Sequence, residues 1–376
     1  DVVVTPWTMI VSMTATACFL FGYLFMSVYD ETRHRGGGTT ARLKSYLAHP
    51  YLREPAAVRT MVLVCLMVLG TAVGWAYHKK TPPAIEGAAV FIEKGNLQAA
   101  QSIVSTGRKE ETKSHVFGGE YQGQGMFKSF MVVAWTYGLT LSLLLSMAER
   151  RWRWRIFALL FFAGSYYFVA GTGERANFIW GLVVAVTGVS FLTRMSLKKT
   201  IAAGLLLVLF MAGLTFLLPR YQVQDTRQGL IVKIFSSVAD RILMGNKINN
   251  VRLMNFMDKG RFEHTFGKEN LDLLLNVLPG IQRPPLGYRL GVAMGNTGTT
   301  YYNGTYQGTV YIDFGIAGII LVYFGLGAFV AVVFFWLLRL PKSLENVAFM
   351  SLVIYKLGHM SISAGPISFA SGMVPV

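Results

Sequence analysis

The stretch VYIDFGIAGIILVYFGLGAFVAVVFFWLL, residues 310–338, decides the fold. It holds one charged residue, Asp313, in a run longer than the about twenty apolar residues a membrane-spanning helix needs, and Arg339 and Lys342 close it. A basic cluster at the end of an apolar run marks the cytoplasmic end of a span.

Seven further runs have the same character: roughly 7–28, 59–77, 127–148, 156–171, 176–194, 200–218 and 347–370. Thr5 to Val28 is long enough to remain a span rather than be removed as a signal peptide. The connections after the first, third, fifth and seventh spans carry the short basic clusters: Arg33, Arg35, Arg42 and Lys44; Arg150, Arg151, Arg153 and Arg155; Arg194, Lys198 and Lys199; Arg339 and Lys342. By alternation 29–58 and 149–155 face the cytoplasm, while 78–126, 171–175 and 219–309 face outside, which is the periplasm in a Gram-negative host. Composition agrees: 53% of the chain is hydrophobic and 14% charged, with a mean hydropathy of +0.45, against about a quarter charged for a soluble domain. The net charge of +16 is explained by segments flanking the spans, so no nucleic-acid partner is expected. Cys18 and Cys65 both lie in apolar runs, which supports neither a disulfide framework nor a thiolate metal site.

The expected organisation is an all-α polytopic membrane protein: residues 1–218 as a bundle of about six spans with an outer loop at 78–126, 219–309 as a large outer loop carrying the site, and 310–376 as about two C-terminal spans. Arg42 to Leu52 reads as a short interfacial helix. Thr81-Pro82-Pro83 reads as a helix start, followed by an apolar face of Ile85, Ala88, Ala89 and Ile92.

The stretch from Pro219 to Thr309 is basic and aromatic, with apolar faces that a floppy linker would lack. Val251, Leu253, Met254 and Met257 predict a helix, and Arg241 and Arg252 share its face if it continues through Gly245. Arg220 and Arg227, seven apart, do likewise. A further helix is expected from Glu269 to Leu278, ending at Pro279-Gly280. After it, Gln282 to Arg289 reads as an extended strip that presents Arg283 and Arg289. Arginine's planar fork suits phosphate oxygens, so these arginines and Arg175, at the short outer turn 171–175, form a candidate anion site. Taken singly, each loop arginine reads first as a solvated or headgroup-facing cation, and Arg175 reads equally as a local pair with Glu174; the set of them over one outer mouth is what suggests the site. The Asn296 to Gly308 tail is rich in hydroxyls, amides and tyrosine rings, which suits a sugar acceptor; Tyr288, Tyr301, Tyr302 and Asn303 are the candidates, with a turn-rich loop as the plain alternative. Asp313, His264 and Glu174 are the candidate bases, Asp313 reading equally as a helix cap. No His, Asp or Glu cluster has metal spacing, and no nucleophile elbow or phosphate loop is present, so neither a metal nor a cofactor is expected.

Thr265-Phe266-Gly267, then Val277-Leu278-Pro279, Arg283-Pro284-Pro285, the Thr/Gly/Tyr tail and Tyr311-Ile312-Asp313-Phe314-Gly315-Ile316-Ala317-Gly318 together resemble the bacterial O-antigen and exopolysaccharide repeat-unit polymerases, over residues 170–330. The resemblance implies a metal-independent, membrane-embedded glycosyltransferase of the GT-C-like class in the bacterial cytoplasmic membrane. Its substrate would be an oligosaccharide on undecaprenyl diphosphate, and its partners membrane lipids and a chain-length regulator. Many of those polymerases have an arginine directly after the proline matching Pro279; here Gly280 stands there and Arg283 follows three residues on. A ligase that moves glycan onto lipid A core and a flippase for an anionic lipid-linked sugar are the alternatives.

Overall fold

The computed structural model describes residues 6–33, 39–52, 55–96, 98–100, 102–104, 106–107, 124–172, 175–193, 198, 202, 245–275, 286–294 and 306–359. Regular structure among them is helical, apart from an isolated parallel bridge between Leu52 and Ser343. Among the described residues five helices are long and apolar enough to cross a membrane, and a shorter apolar helix covers Asn177–Thr193. The chain is therefore an all-α, multi-pass membrane protein. The expected span 200–218 lies outside the described residues, as do 360–370 of the last one. Helices distant in sequence pack together, so the chain forms two compact units, each built from separate stretches of the sequence.

The first unit comprises Asp1–Ala48, Ser237–Leu340 and Lys356–Ala370. Its spine is α1 (Pro6–Arg33) packed along the long helix Tyr306–Leu337. The two run parallel: Trp7 Nε1 donates to the Tyr311 hydroxyl at 2.7 Å near one end, and Arg339 reaches Asp30 at 3.1 Å near the other. In lipid, helix pairing relies on close van der Waals fit rather than on expelled water. Accordingly a Cβ at Gly22 would run into the Phe324 carbonyl, and one at Gly327 into that of Phe19. Asp30 also pairs with Arg42 at 2.5 Å, which ties in α2 (Thr39–Ala48). This helix stops short of the expected Leu52 because Pro50 disfavours helical geometry at His49.

The second unit comprises His49–Ser236, Pro341–Tyr355 and Ser371–Val376. It contains α3 (Ala56–His78), α4 (Pro83–Lys94), α5 (Gln124–Glu149), α6 (Trp152–Gly164) and α7 (Arg175–Thr193). A π-helical turn, Ser165–Val169, and a 3-10 turn, Ala170–Thr172, extend α6. Trp135 of α5 is the centre of the core, stacked on Phe168 at 5.4 Å and edge-on to Phe161 at 5.5 Å. Arg59, 1% exposed, lies at the start of α3 and donates Nη1 to Glu149 at 2.5 Å and Nε to Glu345 at 2.6 Å. Glu149 accepts from Trp154 Nε1 as well, at 2.8 Å. A buried cation is tolerable only when paired in this way. In α4, begun by Pro82-Pro83 and ended by Gly95 at φ 61°, the packed face differs from expectation. Pro83, Ala84 and Gly87 are buried while Ile92 is 82% exposed. Gly87 allows close approach to Ala100 and Val104, where a Cβ would clash at 2.6 Å; the larger apolar residues are left outward.

Candidate functional site

The site candidates that the structure gathers lie in the first unit, on α8 (Gly245–Asp258), α9 (Lys268–Leu275), α10 (Leu286–Ala293) and α11, the Tyr306–Leu337 helix. Leu253, Leu290 and Ile312, each at most 1% exposed, bring α8, α10 and α11 to one point.

α11 is broken at Gly315, whose φ of 62° and ψ of −151° belong to a region open essentially to glycine alone. A break strips the preceding carbonyls of their intrahelical donors. Here the loop before α9 replaces them: Thr265 N–H donates to the Ile312 carbonyl and Phe266 N–H to that of Asp313, both at 3.0 Å.

The Asp313 side chain, 0% exposed, completes the joint. Its Oδ1 accepts from Thr265 Oγ1 at 2.5 Å and from Glu269 N–H at 3.0 Å; its Oδ2 accepts from Asn270 N–H at 3.0 Å and Asn270 Nδ2 at 2.6 Å. The residue before α9 is Gly267, which has no side chain to cap the helix, so a carboxylate from 44 residues away caps it. A negative charge at a helix N-terminus is favoured by both the free N–H groups and the helix dipole. Asp313 thus caps α9 rather than its own helix. A carboxylate offers about four acceptor positions, and donors of this chain occupy them, which leaves none directed at a substrate hydroxyl.

His264 stands differently. Its Nδ1 lies 3.2 Å from the Ile312 carbonyl, an acceptor only, so in the neutral ring Nδ1 carries the proton and Nε2 keeps its lone pair. The residue is exposed, and its ring packs edge-on to Tyr311 at 6.1 Å. Of the candidate bases described, His264 has the free basic atom.

Arg289 lies on α10 and forms an ion pair with the buried Glu269. Its Nε is buried with no hydrogen-bond partner. Burial pushes the guanidinium below its ordinary pKa, and the Asp313 charge opposes that shift. The extended strip expected through Arg289 is corrected here: Leu286 to Arg289 form the first turn of α10. Proline restrains the residue before it but presets a helix start after it, and Leu286 and Leu290, four apart, pack into the same cluster.

Arg252 sits on α8 between the buried Val251 and Leu253 and is itself partly exposed. Arg175 opens α7 and Tyr288 lies in α10; their side chains are outside the described residues. Glu174, Arg220, Arg241, Arg283, Tyr301, Tyr302 and Asn303 are outside them too, so the shared face of Arg241 and Arg252 is untouched, α8 being described from Gly245. α9 begins one residue before the expected Glu269 and is described to Leu275. Sequence reading missed Thr265, Glu269 and Asn270 as partners of Asp313; a helix start preceded by glycine was the available signal. Among the described residues no three His, Cys, Asp or Glu gather as metal ligands.

No family model matches the chain, and neither a curated protein nor a solved structure does. What fold and site define is the class: a multi-pass helical membrane protein with a polar node at the break of one span.

Proposed function

We propose that this protein is a membrane-embedded glycosyltransferase that polymerises oligosaccharide units carried on a polyprenyl diphosphate. The bond between the anomeric carbon of the growing glycan and its phosphate oxygen breaks, and a hydroxyl oxygen of the incoming lipid-linked unit bonds to that carbon. His264 Nε2 takes the hydroxyl proton, and polyprenyl diphosphate departs. Arginines of the same unit, Arg289 beside the node and Arg252 on α8 among those described, stabilise the leaving charge.

The observation that carries this reading is the meeting of the two motifs behind the polymerase resemblance: Thr265-Phe266-Gly267 is hydrogen-bonded to Ile312 and Asp313, with the unpaired Nε of Arg289 nearby in the same cluster of helices. Asp313 acts in this scheme by positioning α9. A transporter would be expected to place its breaks near mid-membrane, whereas the break in α11 falls at the tenth residue of a 32-residue helix.

The test is incubation of the purified protein, reconstituted in bilayers, with a lipid-linked repeat unit. A ladder of products is expected, with no requirement for lipid A core. Transfer to lipid A core alone would favour the ligase; transbilayer movement without bond formation would favour the flippase.

A further inference from the structure

We propose that the Thr265–Gly267 turn is a membrane-seated hook, with the Phe266 side chain inserted among lipid acyl chains at one bilayer boundary. Phe266 is 85% exposed and adopts a φ of 47°, a left-handed conformation that a bulky residue enters only at a cost. Glycine or asparagine would satisfy that backbone more easily, and the protein gives the ring almost no contact in return. A hydrocarbon environment would: burial of a phenyl group in it is favourable by an amount comparable to such strain.

The depth of the turn follows from α11. Tyr306, Gly308, Thr309, Val310, Tyr311, Ile312 and Asp313 are buried in the protein. Beyond Gly315 one face of the helix, Ile320, Leu321, Phe324, Phe329 and Val332, is exposed, while Ile319, Tyr323, Leu326 and Ala331 on the other face stay buried. Residues 316–337 rise about 33 Å, close to the hydrocarbon thickness of about 30 Å. Trp336, half exposed, lies at the far end as an interfacial aromatic residue does. The break therefore lies at the bilayer boundary, and the hydrogen bond from Phe266 N–H to the Asp313 carbonyl fixes the turn at that level. Phe314, 44% exposed, continues the lipid-facing surface of α11 to the turn: a Cβ at Gly267 would lie 3.2 Å from its ring. Leu271, 50% exposed, adds to the same patch, and the exposed Lys268 follows the hook where headgroup phosphates would meet its ammonium. This inference is independent of the catalytic reading.

The experiment uses Phe266→Trp in proteoliposomes, reading the fluorescence difference from the parent protein. Loss of that signal with lipids brominated high on the acyl chain, and little loss with aqueous iodide, is expected. Quenching by iodide and not by brominated lipid would place the turn in water and overturn the proposal. Quenching by neither would mean that protein covers it, a second copy or another part of this chain, and overturns it equally. Because tryptophan itself could disturb the turn, Phe266→Cys with a nitroxide label, on a Cys18→Ser, Cys65→Ser background, gives a second reading: greater accessibility to oxygen than to a water-soluble nickel complex is expected, and the reverse order refutes the hook.

Discussion

Asn270 holds Asp313 twice through one oxygen: its backbone N–H and its side-chain amide both donate to Oδ2, at 3.0 and 2.6 Å. The double grip makes the carboxylate a fastening between α9 and the broken span. Asp313→Ala is expected to leave buried donors unpaired at about 1–3 kcal/mol each, and so to reduce folded protein before it reduces turnover per folded molecule. Asp313→Asn should be milder, since one amide oxygen still accepts. Thermal unfolding in detergent beside activity per folded protein checks the order; unchanged stability in Asp313→Ala would refute the fastening.

His264 is expected to matter for chemistry and little for folding, because it is exposed and its one hydrogen bond is to a carbonyl. His264→Gln should lower the rate of glycan transfer about 100-fold or more, as for loss of a general base, with unfolding temperature nearly unchanged. A variant that keeps full turnover would remove His264 from the mechanism. Addition of a chelator is expected to leave turnover unaltered, and restoration of a chelated activity by magnesium or manganese would show that the arginines do not carry the electrostatics.

Breaking the Arg289–Glu269 pair on one side should destabilise more than removing both. Arg289→Ala leaves Glu269 buried and alone, at about 2 kcal/mol, less than for a fully enclosed pair because 32% of the arginine side chain is exposed. Arg289→Leu combined with Glu269→Leu should recover part of that loss. A double variant no more stable than the single one would show that the pair is not the unit of stability.

Topology gives a prediction that needs no substrate. α1 and α11 run parallel; if α3, α5, the extended α6 and the shorter apolar α7 each cross once, four crossings lie between them. An odd number of further crossings must then fall between Thr193 and Tyr306, for which 200–218 is the apolar run of sufficient length. In cells, a membrane-impermeant reagent should label Glu93→Cys and Lys259→Cys from outside and spare Ser45→Cys and Arg155→Cys, on a cysteine-free background. Labelling of Lys259→Cys and Ser45→Cys from the same side would break the count.

The backbone at Gly315 yields a steric test. Gly315→Ala places a Cβ in a conformation reserved to glycine, at a cost of about 1–3 kcal/mol, and 3.4 Å from the His264 ring. Lower stability together with slower transfer is expected; a variant that matches the parent in both would mean that the break is not needed.

The spans were legible because apolar length alone announces them, whatever the tertiary partners; α1, α3, α5 and α11 fall within a few residues of their expected bounds. The start of α4 was legible from Pro82-Pro83, but its packed side was not: the small Gly87 buries while the larger Ile92 does not, since close approach rather than apolarity decides a helix contact. α10 was misread because the stiffness of Pro284-Pro285 was carried forward into residues that proline does not restrain. The node was legible only in part: Gly267 before Lys268 signals a helix start without a cap of its own, but nothing local names Asp313, 48 residues from Thr265, as the group that supplies it.

Arg59 has a consequence for the order in which the protein is made. Its acidic partners lie 90 and 286 residues downstream, so the helix that bears it leaves the ribosome well before either exists. At translation rates of about 5–20 residues per second, Glu345 follows by roughly 15 to 60 s. Until Glu149 arrives, after about 5 to 18 s, the guanidinium is expected to rest among lipid headgroups or water, and its second pairing waits for Glu345. Release of a nascent chain before Glu149 should therefore leave α3 shifted toward the aqueous face, open to quality-control proteases that the finished chain escapes.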